Sequence, residues 1–442
     1  MAEQPKRRQA QPRQLAAAAL VRIERGGYAN LVLGSLLAES GLSARDRGFA
    51  SRLVYGTLER LRTLDARLAP WLKKPIDKLD APVRAALRMG LYQMLYMDSV
   101  PAAVAVSESV RLVRALGKSS AAGFVNAVLR RAGGPWEPTF ATEAERLGVT
   151  YSVSDDIARL LLTAYPDAAQ RILQASFTLP PLQVRVNTLR TDRSALAARL
   201  ADAGVTARPL ISPAGLELDG AGDPAALPAF AEGLFHVQGL ASQLAAEALD
   251  ARPGQRVLDL CAAPGGKSAS LAERMENRGA LFCCDEAASR LSLIEGLLAR
   301  LGITIGSVRQ LDAAGPAIGF SDMDRVLCDV PCSGLGVLAK KPDIRYKRLG
   351  DLTTLIETQK KILANGAAAL APGGRLVYST CTLNPAENAG VVRWFLDTHP
   401  GWHTVLPQLP LPEGVRRQDG MLTFVPGETA ADGFFVACLE RL

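Results

Sequence analysis

The sequence lacks the patterns that would assign it at once to a membrane, secreted or metal-binding class. No apolar run approaches the roughly 20 residues that a membrane helix needs. The first residues, MAEQPKRRQAQPRQ, are polar and basic, which predicts neither a signal peptide nor an anchor. Only three histidines occur, they are scattered, and no C-x-x-C pair is present. Metal binding is therefore not expected.

Cysteine content and length narrow the class further. The seven cysteines form an odd set, and with no secretory signal they predict reduced thiols in a cytoplasmic protein. The 442 residues are too many for one compact core, so two or three domains are expected. No heptad pattern indicates a coiled coil, and we expect a monomer.

Positive charge is concentrated in the first third of the chain. Residues 1–134 carry 22 Lys and Arg against 10 Asp and Glu, whereas the whole chain has a net charge of +7. Such an excess suits a solvated helical surface as well as a face that binds nucleic acid. Composition alone leaves both interpretations open.

Three regions follow a basic segment, 1–14, that we expect to be a flexible tail. From 15 to 134 apolar residues recur at helical spacing, and Ser43 and Asp80 are expected to cap two of the helices. Residues 133–138 have the composition of a linker, and 145–235 mix helical and strand patterns, which predicts a small α+β domain. From 236 to 442 strands alternate with helices, which predicts a doubly wound, mostly parallel α/β sheet.

A glycine turn follows the first strand of the last region. The stretch Val257–Leu271, VLDLCAAPGGKSASL, runs from an apolar strand through two glycines into a helical pattern. It is not a P-loop, because Cys261 stands where the first P-loop glycine is needed, and the fingerprint G-x-G-x-x-G is absent. Such a turn lets a ligand approach the backbone, so we expect a ligand at the carboxyl end of this strand.

Acidic residues stand at the ends of successive strands. Asp259 lies near the end of the first strand, Asp285 ends the second and Asp312 follows the third. An acid about 20 residues after a glycine turn is placed to hydrogen-bond ribose hydroxyls. Each acid alone could equally form a turn or cap a helix, but their joint position favours a nucleoside-type cofactor. No arginine suited to a 2′-phosphate is apparent after Asp285.

Two cysteines differ from the others in their surroundings. Cys332 and Cys381 lie among Pro, Ser, Thr and Gly residues just past two strands that we expect to be neighbours, so both thiols would face one cleft. A redox pair remains an alternative interpretation for them. The other five cysteines are expected to fill the core as small apolar residues. They are Cys261, Cys283, Cys284, Cys328 and Cys438.

Several of these motifs together resemble the RNA cytosine-C5 methyltransferase family. LDLCAAPGGKS, CDVPCSGLGVLAKKPDIRY, YSTCTLNPAEN and the terminal DGFF carry the resemblance over residues 236–442. RDRGFASRLVYGTLER, LRMGLYQMLY, VAVSESVRLV and GFVNAVLRRAGG are similar to NusB-like RNA-binding domains. VRVNT lies in a segment similar to the RNA-recognition-like domain that precedes the family's catalytic domain. The combination resembles bacterial 16S ribosomal RNA enzymes of the RsmB type. Gly239 is a departure, because many members carry an acid there.

The resemblance implies a Rossmann-like catalytic domain with S-adenosyl-L-methionine as the methyl donor. The glycine turn and the acids at the strand ends would bind this cofactor. The residues concerned are Cys261, Ala262, Ala263, Pro264, Gly265, Gly266, Lys267, Asp285, Asp312 and Asp329.

The resemblance also implies a role for each loop thiol. Cytosine C5 is a poor nucleophile, and a thiolate that adds to C6 turns the ring into an enamine whose C5 can attack a methyl group. Cys381 would be the nucleophile, Cys332 would assist product release, and Asp329 would hydrogen-bond the cytosine edge. Because the base must leave its stack, a single-stranded loop of 16S ribosomal RNA is the expected partner.

Other functions are weighed against this one. A non-catalytic RNA-binding assembly factor would be expected to lose a thiol or the glycine turn, and neither is lost. A methyltransferase acting on an exocyclic amine usually has a proline pair and an aromatic residue where DVPCSG stands. A thiol hydrolase would need a histidine partner for Cys381. Transfer RNA or large-subunit RNA remains an alternative substrate.

Overall fold

The computed structural model describes residues 11–350 and 352–441. Two compact units divide the chain: Met1–Thr163 with Lys341–Arg348, and Ala164–Lys340 with Leu349–Leu442. Residues 1–10 of the predicted tail lie outside the described residues, and Pro12–Gln14 already belong to the first helix. Within the described ranges, no helix is long and apolar enough to cross a membrane.

The first unit is built from helices, as predicted. They are α1 Pro12–Glu24, α2 Ala29–Glu39, α3 Ala44–Glu59, α4 Leu61–Leu68, α5 Ala81–Tyr96, α6 Ala102–Ala115, α7 Ala122–Ala132, α8 Glu143–Thr150 and α9 Asp155–Ala164, with short 3-10 turns at Ala69–Trp71, Ile76–Lys78, Ser119–Ala121 and Pro342–Tyr346. Leu53, Leu64, Leu87 and Leu91 are fully buried in its core. The apolar faces of these helices therefore pack together into one hydrophobic core.

Both predicted cap residues stand at N-cap positions, but only one caps its helix through the side chain. Ser43 caps α3, because its hydroxyl accepts a hydrogen bond from the Asp46 N–H at 3.1 Å. Asp80 holds the predicted N-cap position of α5, and its carbonyl accepts from the Val83 and Arg84 N–H groups, but its side chain makes no capping hydrogen bond. Its carboxylate instead pairs with Lys118 Nζ at 2.7 Å, and this charged partner competes with the backbone for the same oxygens.

The first unit extends past residue 134, where the helical domain was predicted to end, and past 145, where the small α+β domain was predicted to begin. The chain up to Thr163 belongs to the first unit. Thr63 Oγ1 donates to the Val149 carbonyl at 2.6 Å, and Arg62 donates to the Val153 carbonyl at 2.6 Å. These bonds join α4 to the chain around α8, which the linker-like composition of 133–138 could not reveal.

A short segment from the predicted 236–442 domain also belongs to the first unit. In Lys341–Arg348 the Tyr346 hydroxyl donates to the Leu58 carbonyl at 2.6 Å and accepts from the Leu61 N–H at 3.0 Å. Arg345 is fully buried and donates to the Tyr151 carbonyl at 3.1 Å. Hydrogen bonds to the main chain of α3, of α4 and of the end of α8 therefore hold residues 341–348, which include the last part of the motif CDVPCSGLGVLAKKPDIRY, in the first unit.

The second unit begins with the predicted small α+β domain. Its elements are α10 Ala169–Ala175, β1 Leu182–Val186, α11 Arg193–Asp202, β2 Thr206–Pro209, β3 Gly215–Asp219, α12 Pro228–Ala231 and β4 Phe235–Val237, with a 3-10 turn at Pro224–Ala226. The sheet has the order β2-β3-β1-β4, and every pairing is antiparallel. Val184 and Phe235 from the sheet pack with Leu196 and Leu200 of α11.

A large mixed sheet forms the rest of the second unit. Its elements are α13 Leu240–Ala248, β5 Arg256–Asp259, α14 Gly266–Arg274, β6 Ala280–Asp285, α15 Ala288–Leu301, β7 Gly306–Gln310, β8 Met323–Asp329, α16 Thr353–Ala368, β9 Leu370–Thr380, α17 Ala389–Thr398, β10 Trp402–Val405, β11 Arg416–Gln418, β12 Met421–Phe424 and β13 Phe434–Arg441, with a 3-10 turn at Leu335–Val337. The order is β11-β12-β13-β9-β8-β5-β6-β7, and β10 pairs with β13.

Parallel and antiparallel pairings divide this sheet in two. Strands β5 to β9 pair in parallel, as predicted, and the expected closing hairpin is β12 with β13. Strands β10 and β11 were not predicted, and β13 adds to β9 in antiparallel fashion. The carboxyl ends of five parallel strands therefore lie along one edge, where ligands bind in such sheets.

Candidate active site

Strand register brings the predicted site residues to this carboxyl edge. Asp329 at the end of β8 stands opposite Ser379 of β9, and Cys332 and Cys381 follow these two positions. On the other side of β5, Asp285 of β6 stands opposite Gln310 of β7, just before Asp312. The two thiols and the acids thus meet because their strands are neighbours in a parallel sheet.

The glycine turn is hydrogen-bonded to the end of β6. The Ala262 N–H donates to the Cys284 carbonyl at 2.8 Å, and the Ala263 N–H donates to Asp285 Oδ2 at 3.2 Å. Gly265 has a φ of +105°, a left-handed conformation that favours glycine. A Cβ there would also lie 3.3 Å from Ile294 Cα in α15. Glycine therefore lets α14 begin directly after the turn.

The acids expected to bind a nucleoside differ in their partners. Asp285 is buried and accepts from the Ala287 N–H at 3.0 Å, while Arg290 Nη2 lies 2.8 Å from its Oδ1. This arginine on α15 is one that the sequence pattern did not single out. Asp312 is exposed and its Oδ1 accepts from the Ala314 N–H at 2.9 Å, so it also forms the turn considered as its alternative role.

Asp259 is a buried acid with incomplete hydrogen bonding. Its Oδ2 accepts from the Ser268 hydroxyl at 2.6 Å, whereas Oδ1 has no hydrogen-bond partner among the described residues. Burial raises the pKa of Asp259 to about 7, an effect that the Ser268 hydrogen bond partly offsets. An under-satisfied acid of this kind is costly in a core and typical of a functional site.

The two loop thiols are in contact. The Sγ atoms of Cys332 and Cys381 lie 3.3 Å apart in a hydrogen bond, and both residues are half-buried. The hydrogen bond with Cys381, followed by burial, raises the pKa of Cys332 well above its usual value. Either sulfur can donate in this hydrogen bond, and the raised pKa of Cys332 favours its protonated form.

The Asp329 carboxylate is held from two sides. Lys267 Nζ lies 2.6 Å from Oδ2, and the Ser379 hydroxyl donates to Oδ1 at 2.7 Å. The Lys267 ammonium also lies 5.1 Å from the centre of the Phe434 ring. Sequence reasoning gave Lys267 to the cofactor turn and missed this ion pair, because the partners come from different motifs.

Sequence reasoning also missed Glu387, although it lies within the quoted motif YSTCTLNPAEN. Its side chain is buried and accepts a hydrogen bond from the Ser333 N–H, directly after Cys332, at 2.8 Å. A charged residue in a turn otherwise made of Thr, Asn and Pro was the available signal. The contact links the two thiol loops.

The remaining cysteines and Gly239 surround the site without joining the thiol pair. Cys261 is half-buried, and burial raises the pKa of its thiol well above the usual value. Cys283, Cys284, Cys328 and Cys438 are buried, as expected.

Gly239 precedes α13, and a Cβ there would lie 3.0 Å from Asp432 Oδ2. That carboxylate pairs with Lys340 Nζ at 2.5 Å, so an acid at position 239 would crowd an existing negative charge. Across 11–350 and 352–441, no group of three or more His, Cys, Asp or Glu side chains could hold a metal ion.

Comparison with known families agrees with this division of the chain. Residues 246–440 match the family described as 16S rRNA methyltransferase RsmB/F, residues 10–133 match the NusB family, and residues 157–224 match the Methyltr_RsmF/B-like, ferredoxin-like domain. The three matches follow the order of the helical domain, the small α+β domain and the large sheet.

Individual relatives match over almost the whole chain. A probable ribosomal RNA small subunit methyltransferase B from Bacillus subtilis is 36% identical, covering 97% of this chain and 98% of the relative. A protein of the same description from Synechocystis sp. is 36% identical, covering 94% and 96%. The crystal structure of a methyltransferase homologue protein from Pyrococcus horikoshii is 28% identical with a TM-score of 0.60, covering 69% of this chain and all of that one. With this identity over nearly its full length, the chain belongs to the RsmB/F family of S-adenosylmethionine-dependent rRNA methyltransferases.

Proposed function

We propose that this protein transfers a methyl group from S-adenosyl-L-methionine to C5 of a specific cytosine in 16S ribosomal RNA, through a covalent bond between Cys381 and C6. The observation that carries the proposal is the hydrogen-bonded pair of Cys332 and Cys381, whose sulfurs lie 3.3 Å apart. Relatives named as ribosomal RNA small subunit methyltransferases support the choice of RNA.

The residues at the carboxyl edge fit the cofactor of this family. S-adenosyl-L-methionine supplies an electrophilic methyl group on a positively charged sulfonium. The buried Asp259 has an oxygen without a partner among the described residues, and its ionised form favours a nearby positive charge. Asp285 lies at the end of the adjacent strand, fastened to the Ala263 N–H of the turn. These groups would hold the amino-acid and ribose parts of the cofactor, with Asp312 at the neighbouring strand end.

The thiol pair accounts for the first half of the reaction. A thiolate is needed to attack C6, so Cys381 must first lose its proton to solvent; the Cys332 S–H, whose sulfur lies 3.3 Å away, can then donate a hydrogen bond to the thiolate. Cys381 Sγ then adds to C6, and the ring electrons become available at C5. C5 would take the methyl group as the methyl–sulfur bond of the sulfonium breaks and leaves its electron pair on that sulfur. The Asp329 carboxylate, oriented by Lys267 and Ser379, accepts a hydrogen bond from the cytosine amine and holds the ring.

Elimination completes the cycle. A base removes the C5 proton, the electron pair returns to form the C5–C6 double bond, and the C6–S bond breaks to release Cys381 as a thiolate. Cys332 lies within hydrogen-bonding distance of that sulfur and serves this release. The target base must be unstacked to reach both thiols, which costs least in a single-stranded loop. We expect the protein to act as a monomer in the cytoplasm, where its seven free cysteines remain reduced.

Covalent trapping tests the two thiol roles. Full-length wild type, Cys381→Ala and Cys332→Ala are incubated with 16S RNA and methyl-labelled cofactor, then run on denaturing gels. Cys381→Ala should give neither methyl transfer nor adduct. Cys332→Ala should methylate once and remain attached to RNA through Cys381. Cys438→Ala, a buried thiol in β13, is the control and should turn over like wild type.

Two results would contradict the proposal. A stable adduct with Cys381→Ala but not with Cys332→Ala would reverse the roles of the thiols. Unchanged 5-methylcytosine across 16S ribosomal RNA from cells lacking this protein would exclude that RNA as its substrate.

A further inference from the structure

A buried carboxylate connects the two thiol loops. Glu387 precedes α17, and its side chain accepts four hydrogen bonds. Oε2 accepts from the Ser333 N–H at 2.8 Å and from Gln359 Nε2 at 3.0 Å. Oε1 accepts from Asn384 Nδ2 at 3.0 Å and from the Ser333 hydroxyl. All four acceptor positions of the side chain are therefore used.

The donors around Glu387 are directed at both oxygens of its side chain. A backbone N–H and amide nitrogens can only donate, so Ser333, Gln359 and Asn384 all direct hydrogens at the carboxylate. Gln359 Nε2 donates at the same time to the Pro331 carbonyl at 2.9 Å, which sets the orientation of that amide.

These bonds hold the chain on both sides of Cys332. Pro331 is reached through Gln359, and Ser333 is bonded directly to the carboxylate. The Ser333 hydroxyl also lies 2.7 Å from Thr382 Oγ1, in the residue after Cys381. The Glu387 side chain therefore anchors the Cys332 loop to the turn that follows Cys381, and the Ser333 hydroxyl adds a second link at Thr382.

The geometry points to Glu387 as the positioning residue of the thiol pair: its side chain anchors the Cys332 loop so that the Cys332 sulfur lies against the Cys381 sulfur. A negative charge disfavours a second one nearby, and Glu387 accordingly contributes to the raised pKa of Cys332. The placement of the thiols by Glu387 is a property of the protein without RNA or cofactor. The role of this placement in methyl transfer rests on the proposed function.

Thiol reactivity tests the placement without RNA or cofactor. Full-length wild type and Glu387→Gln are treated with iodoacetamide from pH 6 to pH 10, and alkylation of each cysteine is followed by peptide mass spectrometry. In wild type, Cys381 should react faster than Cys332. Glu387→Gln removes the charge at constant size, so the Cys332 thiolate becomes easier to form and the ratio of the two rates should fall toward 1. Glu440→Gln, which loses a carboxylate paired with Arg375 at 2.7 Å, is the control and should leave the ratio unchanged.

A second variant decides the matter if Glu387→Gln does not fold. Gln359→Met removes one donor to the carboxylate and the bond to Pro331, and keeps the charge and the side-chain volume. It should change the ratio in the same direction by a few fold. An unchanged ratio in a folded Glu387→Gln protein, or in Gln359→Met where the former does not fold, would overturn the proposal.

Adduct formation then tests the catalytic meaning. If Glu387 acts through Cys332, the double variant Cys332→Ala/Glu387→Gln should form the RNA adduct at the rate of Cys332→Ala alone. A further loss in the double variant would overturn action through Cys332. If no variant forms an adduct while the alkylation ratio falls as expected, the covalent mechanism fails and the positioning of the thiols stands.

Discussion

Gly336→Ala should disturb a backbone contact that joins two distant motifs of the large sheet. Gly336 follows the Cys332 loop, and Gly433 precedes β13. A Cβ on Gly336 would lie 1.9 Å from the Gly433 carbonyl oxygen and 2.5 Å from its carbon. These are main-chain atoms, so no side chain can rotate away to make room.

The expected cost follows from what must move. Overpacking of this kind costs about 1–3 kcal/mol. Two hydrogen bonds of 2.9 Å flank the contact, from the Gly336 N–H to the Cys381 carbonyl and from the Gly433 N–H to the Gly336 carbonyl. Weakening both adds about 1–2 kcal/mol, so a loss of about 2–5 kcal/mol is expected in the unfolding free energy of the second unit. Because Cys381 is one of the partners, a shift near 1 Å should also lower methyl transfer about 100-fold.

Urea denaturation, followed by the fluorescence of Trp394 and Trp402, measures the stability, and methyl transfer to RNA measures the second effect. Gly296→Ala is the matched control, because a Cβ on Gly296 in α15 meets nothing within 4 Å. That substitution should stabilise the helix by up to about 1 kcal/mol and leave activity unchanged. If Gly336→Ala unfolds at the same urea concentration as wild type, the clash does not exist as described. Full activity in Gly336→Ala would refute the link to Cys381.

Three further predictions concern cofactor, pH and RNA. Asp285→Ala should weaken S-adenosyl-L-methionine binding by about 1–3 kcal/mol in calorimetry, and an unchanged affinity would remove Asp285 from the site. Asp259 has a folded pKa of about 7 against an ordinary value of 3.8, so its contribution to stability is full below pH 3.8 and is lost as the pH rises through 7. Between pH 5 and pH 8 the Asp259 contribution should fall by about 3 kcal/mol, so the change in unfolding free energy across this range should differ by that amount between wild type and Asp259→Asn; equal pH dependence of the two proteins would contradict the raised pKa. Arg45 and Arg47 are exposed, with no ion pair assigned to them within 11–350 and 352–441, and changing both to Glu should lower the salt slope of RNA binding by about 0.7 per lost phosphate contact. An unaltered slope would mean that these two arginines are only solvated.

Local patterns were enough to predict the main elements and the edge that carries the site. The alternation of strands with helices after residue 236 predicts a parallel sheet, because periodicity and turn residues act within a few positions of the chain. For the same reason, Cys332 and Cys381 could be assigned to the ends of neighbouring strands, and β8 and β9 do pair. The turn at Gly265 was predictable for the same reason, because its left-handed φ is a local conformation that glycine adopts easily. Ser43 caps its helix through a residue only three positions away.

Features that join distant parts of the chain required the tertiary structure. Asp80 stands at the N-cap position as predicted, but its carboxylate pairs with Lys118, in the segment after α6, and not with the helix N–H groups. Residues 341–348 lie with the first unit, since Tyr346 bonds the main chain of Leu58 and Leu61.

The sequence by itself determined which residue types stand at the carboxyl edge, because side-chain periodicity and turn chemistry are local properties. Only the tertiary structure decided that the Cys332 and Cys381 sulfurs are 3.3 Å apart and that Glu387 holds both loops. Those distances depend on the register of β8 against β9, in which Asp329 faces Ser379. A register shift of one residue would move every partner without changing any local pattern.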